Sequence, residues 1–442
     1  MERLNIKNKI LIGITLFSMF FGAGNLIFPP FLGALAGTHT WSAFAGFAVS
    51  AVGLPVLGVV AVTLSGGLPA LASRVHPKFA VLYILILYLA IGPCLAIPRT
   101  ASTSFSMAVT PFLPESVPVW PLQLIYSIVF FGAAAAVAMH PEKLTEYLGK
   151  RLTPVLLVLI AVIFAATFIK PAGSATLPDP AYAQGAPMQG FVYGYQTMDT
   201  LAALNFGMII AMNIRAKGIK KDNAVMRETI GAGWIAGGFL LAVYAMLAFV
   251  GQTSGEAFAG MANGTEVLSG MVRFLFGPAG PVVLAVIFVI ACFNTCVGLF
   301  SCCGKYFNRI FPRLGYRTWV FIFAFVSMVI SNIGLNAILE FSEPVLNAIY
   351  PLAILLIFLS CTHRWLGRFH AVYPCSAFMC GLASVLTVLD SQGIMFPALS
   401  DGLRQIPGYA AGFGWLIPTV VGIGGGVIAG SFQMAGKKRL NK

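Results

Sequence analysis

Two short stretches of this chain carry groups able to do chemistry inside otherwise apolar runs. "FSMFFGAGNLIFPPFLG", residues 17–33, is apolar enough to enter a bilayer, yet it places Gly22, Gly24 and Asn25 near its centre and Pro29 and Pro30 beyond. Glycine weakens a helix through backbone entropy; proline lacks an N–H and clashes with the preceding turn. "FVYGYQTMDTLAALNF", residues 191–206, holds a carboxylate, Asp199, beside Thr197 and Thr200. Interrupted backbone at membrane depth is tolerated where it lines a buried site. There the freed groups are ligands: half-helix N-termini favour a carboxylate, half-helix C-termini a cation or an ammonium. A zwitterion accompanied by Na⁺ suits such a pair of breaks. The alternative for Gly22 and Gly24 is close helix packing.

Asp199 is the acidic residue placed well inside an apolar run, and intramembrane carboxylates pair with a cation, a ligand or a proton. It either coordinates substrate or cation directly or caps the break by accepting backbone N–H groups. Arg99, after Pro98, lies about 20 residues along its run, near an outer vestibule; it either forms a gate pair or attracts a carboxylate there, or it snorkels to the headgroups. The five histidines fall in loops or at the ends of runs, and Cys292 and Cys296 have no His or acidic companion at metal-ligand spacing. No nucleophile–base pair or metal cluster is visible, so the chain reads as no enzyme, without a cofactor beyond a coupling ion.

The elements that must position these residues are membrane helices. Of 442 residues 58% are hydrophobic and 9% charged, at a mean hydropathy of +0.88, too little polar surface to coat a soluble globule. Runs of about 20 apolar residues predict helical spans. Twelve are expected, at 10–35, 41–64, 79–112, 119–139, 152–169, 191–214, 229–251, 278–303, 317–335, 343–361, 372–390 and 412–433. The third is long enough to tilt or break, Ser342-Glu343-Pro344 reads as the start of the tenth, and a surface helix is expected around Gly264 to Phe276. The net charge is +13, but with the N-terminus inside, 23 of 27 basic residues fall on the cytoplasmic side. The basic balance is therefore topology rather than nucleic-acid binding, and both termini are expected in the cytoplasm. The N-terminal run also resembles a signal peptide, but its apolar core is too long and contains two prolines.

Asp199 lies roughly 12 Å into the sixth span and Gly22–Asn25 roughly 18 to 22 Å into the first, at 1.5 Å per residue. These two spans run in opposite directions, and interrupted helices at matching levels of oppositely oriented halves point to an inverted-repeat secondary transporter.

"LFSMFFGAGNLIFPP", "GPCLAIPRTASTSF", "GYQTMDTLAAL" and "FSEPVLNAIYP" resemble, in order along the whole chain, motifs of the bacterial branched-chain amino acid:cation symporters, the system II carriers for leucine, isoleucine and valine. The resemblance implies an all-α integral membrane protein of the bacterial inner membrane, with a leucine-transporter-type fold. It would have two inverted five-helix repeats, 10–170 and 191–361, and two additional spans over 372–433, forming one transporter domain over 1–442. It implies sodium-coupled import of a branched-chain amino acid. Phe20, Phe21, Gly22, Ala23, Gly24, Asn25, Thr197 and Asp199 would face the substrate. Ser18, Phe21, Asn25, Asn294 and Thr295 would hold Na⁺, the last two standing where relatives commonly have adjacent hydroxyl residues. Lipid, substrate and Na⁺ are the partners; no obligate protein partner is inferred. A proton-coupled carrier of another apolar amino acid is the mechanistic alternative, and a membrane-embedded enzyme the alternative from another class.

Overall fold

A computed structural model describes residues 3–114, 116–255, 257, 258, 260, 261 and 263–440, with backbone alone after Phe432. Each of the twelve expected segments is helical, and no strand occurs among the described residues. Helices satisfy every backbone group within one segment, the condition that hydrocarbon imposes. Among the described residues, eight helical stretches can cross a membrane by length and composition, nine when the bent pair Ala186–Thr197 and Asp199–Ala216 counts as one; Tyr316–Ser331 and Leu416–Phe432 are shorter apolar helices.

The irregularities fall where the sequence places its helix breakers. The first span divides into Ile6–Phe20 and Ala23–Ala36, with Phe21 and Gly22 extended between them. In the sixth, Ala186–Tyr193 tightens into a 3-10 turn at Gly194–Thr197 and restarts as Asp199–Ala216, bent by 46°. The third span widens to a π turn at Ala90–Cys94, where Gly92 leaves helical values (φ −93°, ψ −126°) beside Pro93, and continues as Ala96–Ala108. The surface helix is Gly264–Phe276, capped by the Asn263 side chain accepting the N–H groups of Thr265 and Glu266 at 3.0 and 3.1 Å. The start expected at Ser342-Glu343-Pro344 is corrected: the tenth helix is Leu335–Cys361, with Pro344 and Pro351 inside it. Leu335, Ala337, Ile338 and Leu339 extend the helical run upstream, and a proline within a membrane helix is tolerated where neighbouring groups satisfy the freed carbonyl.

The chain forms two compact units, Met1–Val59 with Tyr88–Phe341, and Val60–Leu87 with Ser342–Lys442. In the first, the outer half of the first span lies against the seventh, Asp222–Gln252, at backbone contact: a Cβ on Gly251 would stand 1.8 Å from the Pro30 carbonyl oxygen. In the second, Tyr373, Cys380, Leu355 and Trp415 belong to an apolar core, and Tyr83 donates to the Ile349 carbonyl at 3.3 Å. All eight cysteines are free.

Candidate functional site

The first unit brings both breaks together. Phe21 N–H closes the inner half-helix on the Phe17 carbonyl at 2.8 Å, after which the chain extends through Gly22. Asn25, third residue of the outer half-helix, turns its side chain back, and its Oδ1 accepts Gly22 N–H at 3.0 Å, a capping arrangement that satisfies an otherwise orphaned donor. The Asn25 amide nitrogen donates to Asp199 Oδ2 at 2.6 Å and also meets the Tyr244 hydroxyl. Tyr244 OH donates to the same carboxylate oxygen at 2.6 Å. Asp199 and Asn25 are 2% exposed and Tyr244 fully buried, so one carboxylate joins the first, sixth and seventh spans. An ionised carboxylate this deep requires such charge-assisted bonds.

The sixth-span break turns on Met198 (φ 64°, ψ 6°), the one non-glycine residue of positive φ among those described. A left-handed side-chain-bearing residue costs about 1–3 kcal/mol and persists only where surrounding structure holds it. Its effect is to part Gln196 from the following helix, and the Gln196 carbonyl instead accepts from Arg99 Nη1 at 3.1 Å. Arg99 is 4% exposed, with its guanidinium carbon 5.9 Å from the Phe28 ring centroid. A Cβ on Gly24 would meet Arg99 Nη2 at 2.9 Å and the Gln196 carbonyl oxygen at 3.3 Å, so only glycine admits the guanidinium there without a shift. Arg99 thus lies at both breaks, not at the outer vestibule where residue counting places it. Counting gives depth only along an unbroken helix, and the π turn at Ala90–Cys94 interrupts this one.

A cavity lies among these groups. Phe20, Gly22, Ala23, Gly24, Asn25, Thr197 and Asp199 line it together with Arg99 and Thr295. Ile91, Ala96, Ala202 and Leu299 supply apolar wall. Of the other expected residues, Phe21 is not in the lining and packs on Phe17 at 5.1 Å and Tyr244 at 6.2 Å between ring centroids. Ser18 is buried within the inner half-helix, its hydroxyl donating to the Thr15 carbonyl at 2.8 Å. Asn294 is not in the lining; it is fully buried on the eighth-span helix Gly280–Ile310, next in sequence to Thr295.

Thr295 Oγ1 and both polar atoms of the Asn294 amide have no hydrogen-bond partner among the described residues. A Cβ on Gly22 would stand 2.7 Å from Thr295 Oγ1, so the hydroxyl rests directly on the extended backbone of the first span. Buried polar atoms left without partners are costly, and neutral oxygens are a ligand type that a hard cation takes. Among the described residues no group of three His, Cys, Asp or Glu side chains converges to hold a metal. Sequence reasoning missed Tyr244. The available signal was its phenol within the apolar stretch "GGFLLAVYAMLAFVG", since a buried tyrosine hydroxyl needs a partner.

A family model described as "Branched-chain amino acid transport protein" matches residues 5–433. Branched-chain amino acid permease BraB of Bacillus subtilis (strain 168) is 39% identical over 422 residues, covering 95% of this chain and 94% of its own length. Branched-chain amino acid permease BrnQ of Escherichia coli (strain K12) is also 39% identical, over 425 residues and 95% of each chain. Among solved structures, Mhp1, a nucleobase-cation-symport-1 family transporter in a closed conformation, superposes with a TM-score of 0.54 at 13% identity, covering 96% of this chain and 93% of its own. That likeness shows a leucine-transporter-type fold.

Proposed function

The chain belongs to the branched-chain amino acid transport protein family, and from that premise we propose that it imports leucine, isoleucine and valine with Na⁺ by alternating access. It is a multi-pass membrane transporter of branched-chain amino acids, and not an enzyme. The finer reading rests on one observation: two interrupted helices meet around a buried carboxylate, beside eighth-span oxygens that have no hydrogen-bond partner among the described residues. In this reading the substrate sits at Phe20, at the backbone of Gly22 to Gly24 and beside Asp199. Na⁺ sits between the extended first-span backbone and Asn294 with Thr295. The segments 10–170 and 191–361 act as the two inverted repeats, and 372–433 as two added spans. The chain operates in a bacterial inner membrane with both termini in the cytoplasm.

Na⁺ supplies a mobile positive charge; everything else is done by the chain. The helix breaks aim carbonyls and N–H groups at the cavity, Asn25 and Tyr244 hold the carboxylate in place, and the apolar wall receives the branched side chain. A buried carboxylate also favours a second reading, proton coupling through Asp199. Uptake of leucine into proteoliposomes with Na⁺ and pH gradients imposed separately tests both. Accumulation driven by an inward Na⁺ gradient at equal pH on the two sides is expected. Accumulation that follows the pH gradient alone overturns sodium coupling.

A further inference from the structure

The cavity is lined by an acidic and a basic side chain, Asp199 and Arg99, both at least 96% buried. Asn25 and Tyr244 donate to the carboxylate, and the guanidinium donates to the Gln196 carbonyl. A guanidinium is a planar fork of five donors, matched to a carboxylate's two oxygens. Here Nη1 is the nitrogen on Gln196, and Nη2 is the one on the Gly24 side. Gly24 is in the first turn of the half-helix Ala23–Ala36, whose leading N–H groups lack intrahelical acceptors and carry the positive end of its dipole. A buried arginine and a helix N-terminus therefore converge on one wall of the cavity, where negative charge is favoured twice over. Ile91, Ala96, Ala202 and Leu299 leave the remaining wall apolar.

We propose that Arg99 binds the substrate's α-carboxylate while Asp199 binds its α-ammonium, so that the cavity reads both charges of an amino acid before its side chain. The assignment rests on the transporter reading above and deepens it. The recognised class is the free α-amino acid with a branched aliphatic side chain; an analogue with a neutral carboxamide in place of the carboxylate offers the guanidinium and the helix N-terminus no negative charge. Arg99 is then a binding residue of the central site rather than an outer gate.

The test is calorimetric titration of purified full-length protein with L-leucine and with L-leucinamide, in Na⁺, at about pH 6, where both α-amines are protonated. Wild-type protein is expected to bind leucine about 100-fold more tightly than leucinamide, the scale of removing one partner from a buried charge-assisted contact. Arg99→Gln is expected to lose about 100-fold in leucine affinity with little change for leucinamide, so that the two ligands become nearly equal. Arg99→Lys, which keeps the charge but not the fork, falls between. A wild-type protein that binds leucinamide as tightly as leucine overturns the assignment whether or not any variant folds. So does a folded Arg99→Gln protein whose preference for leucine is unchanged. Wild-type protein that binds neither ligand removes the transporter reading itself, a separate failure.

Discussion

Asp199 Oδ2 accepts from both Asn25 and Tyr244, and an asparagine oxygen at that place can accept from both as well. Asp199→Asn thus removes the charge while sparing the neutral geometry. The variant is expected to be produced at wild-type levels and to lose leucine uptake by about 100-fold or more, with a smaller loss for Asp199→Glu, because a buried ionic partner left unmatched costs several kcal/mol. Uptake at the wild-type rate with wild-type sodium dependence would reduce Asp199 to a structural residue. The sequence discloses Asp199 because a carboxylate in an apolar run is too costly to stand without a partner. It discloses Arg99 only as a residue, since the π turn ahead of it defeats depth counting. Tyr244 was hidden for a different reason: a tyrosine in a membrane helix is ordinary until its buried acceptor, 45 residues away in sequence, is known.

At the scale of elements, the breaks were legible because glycine and proline act locally, through the backbone they occupy. The first-span break falls at Phe21 and Gly22, beside the glycines that predict it, and the surface helix occupies the expected Gly264–Phe276. Packing partners are not local, and there the sequence is mute. "GIGGG", residues 422–426, lies in the twelfth helix, Leu416–Leu440, and only the fold shows which of its glycines matter. In the second unit, Cβ atoms on Gly422 and Gly426 would stand 2.8 Å from Ser376 Cα and 2.5 Å from Val372 Cα of the eleventh helix, Val372–Ser391, whereas Gly425 has nothing within 4 Å. Gly426→Leu is therefore expected to destabilise the protein by about 1–3 kcal/mol through overpacking. Gly425→Leu should leave stability unchanged. Thermal unfolding of the two variants in detergent checks this; equal melting temperatures would mean that the eleventh and twelfth helices do not pack through this glycine face.

For the molecule as a whole, apolar run length identifies a helical membrane protein and the ordered motifs its family, because both properties are spread along the entire chain. The coupling between ligands is a property of the assembled site. If Na⁺ occupies the oxygens of Asn294 and Thr295 against the first-span backbone that also receives substrate, each ligand must strengthen the other by the same factor. Leucine affinity measured in Na⁺ and in choline, and Na⁺ affinity with and without leucine, should show equal ratios; leucine affinity that is the same in Na⁺ and choline would exclude coupling at the binding step. The two buried charges carry a further consequence. If Asp199 is ionised and Na⁺ is the coupling ion of an alternating-access cycle, Asp199 and Arg99 cancel and a zwitterion adds nothing, so the substrate-free carrier moves no net charge as it reorients, while the loaded carrier moves only that of its Na⁺. The membrane potential, worth about 2.3 kcal/mol per 100 mV for each charge crossing it, should then accelerate the loaded step and leave the empty return untouched. Leucine–leucine exchange in saturating Na⁺, in which the carrier is loaded both ways, would respond to voltage in each half-cycle, and the electroneutral return would set the ceiling on net uptake at strongly negative potentials. Net uptake that keeps rising with potential, without reaching a plateau, would show that the empty site carries charge after all.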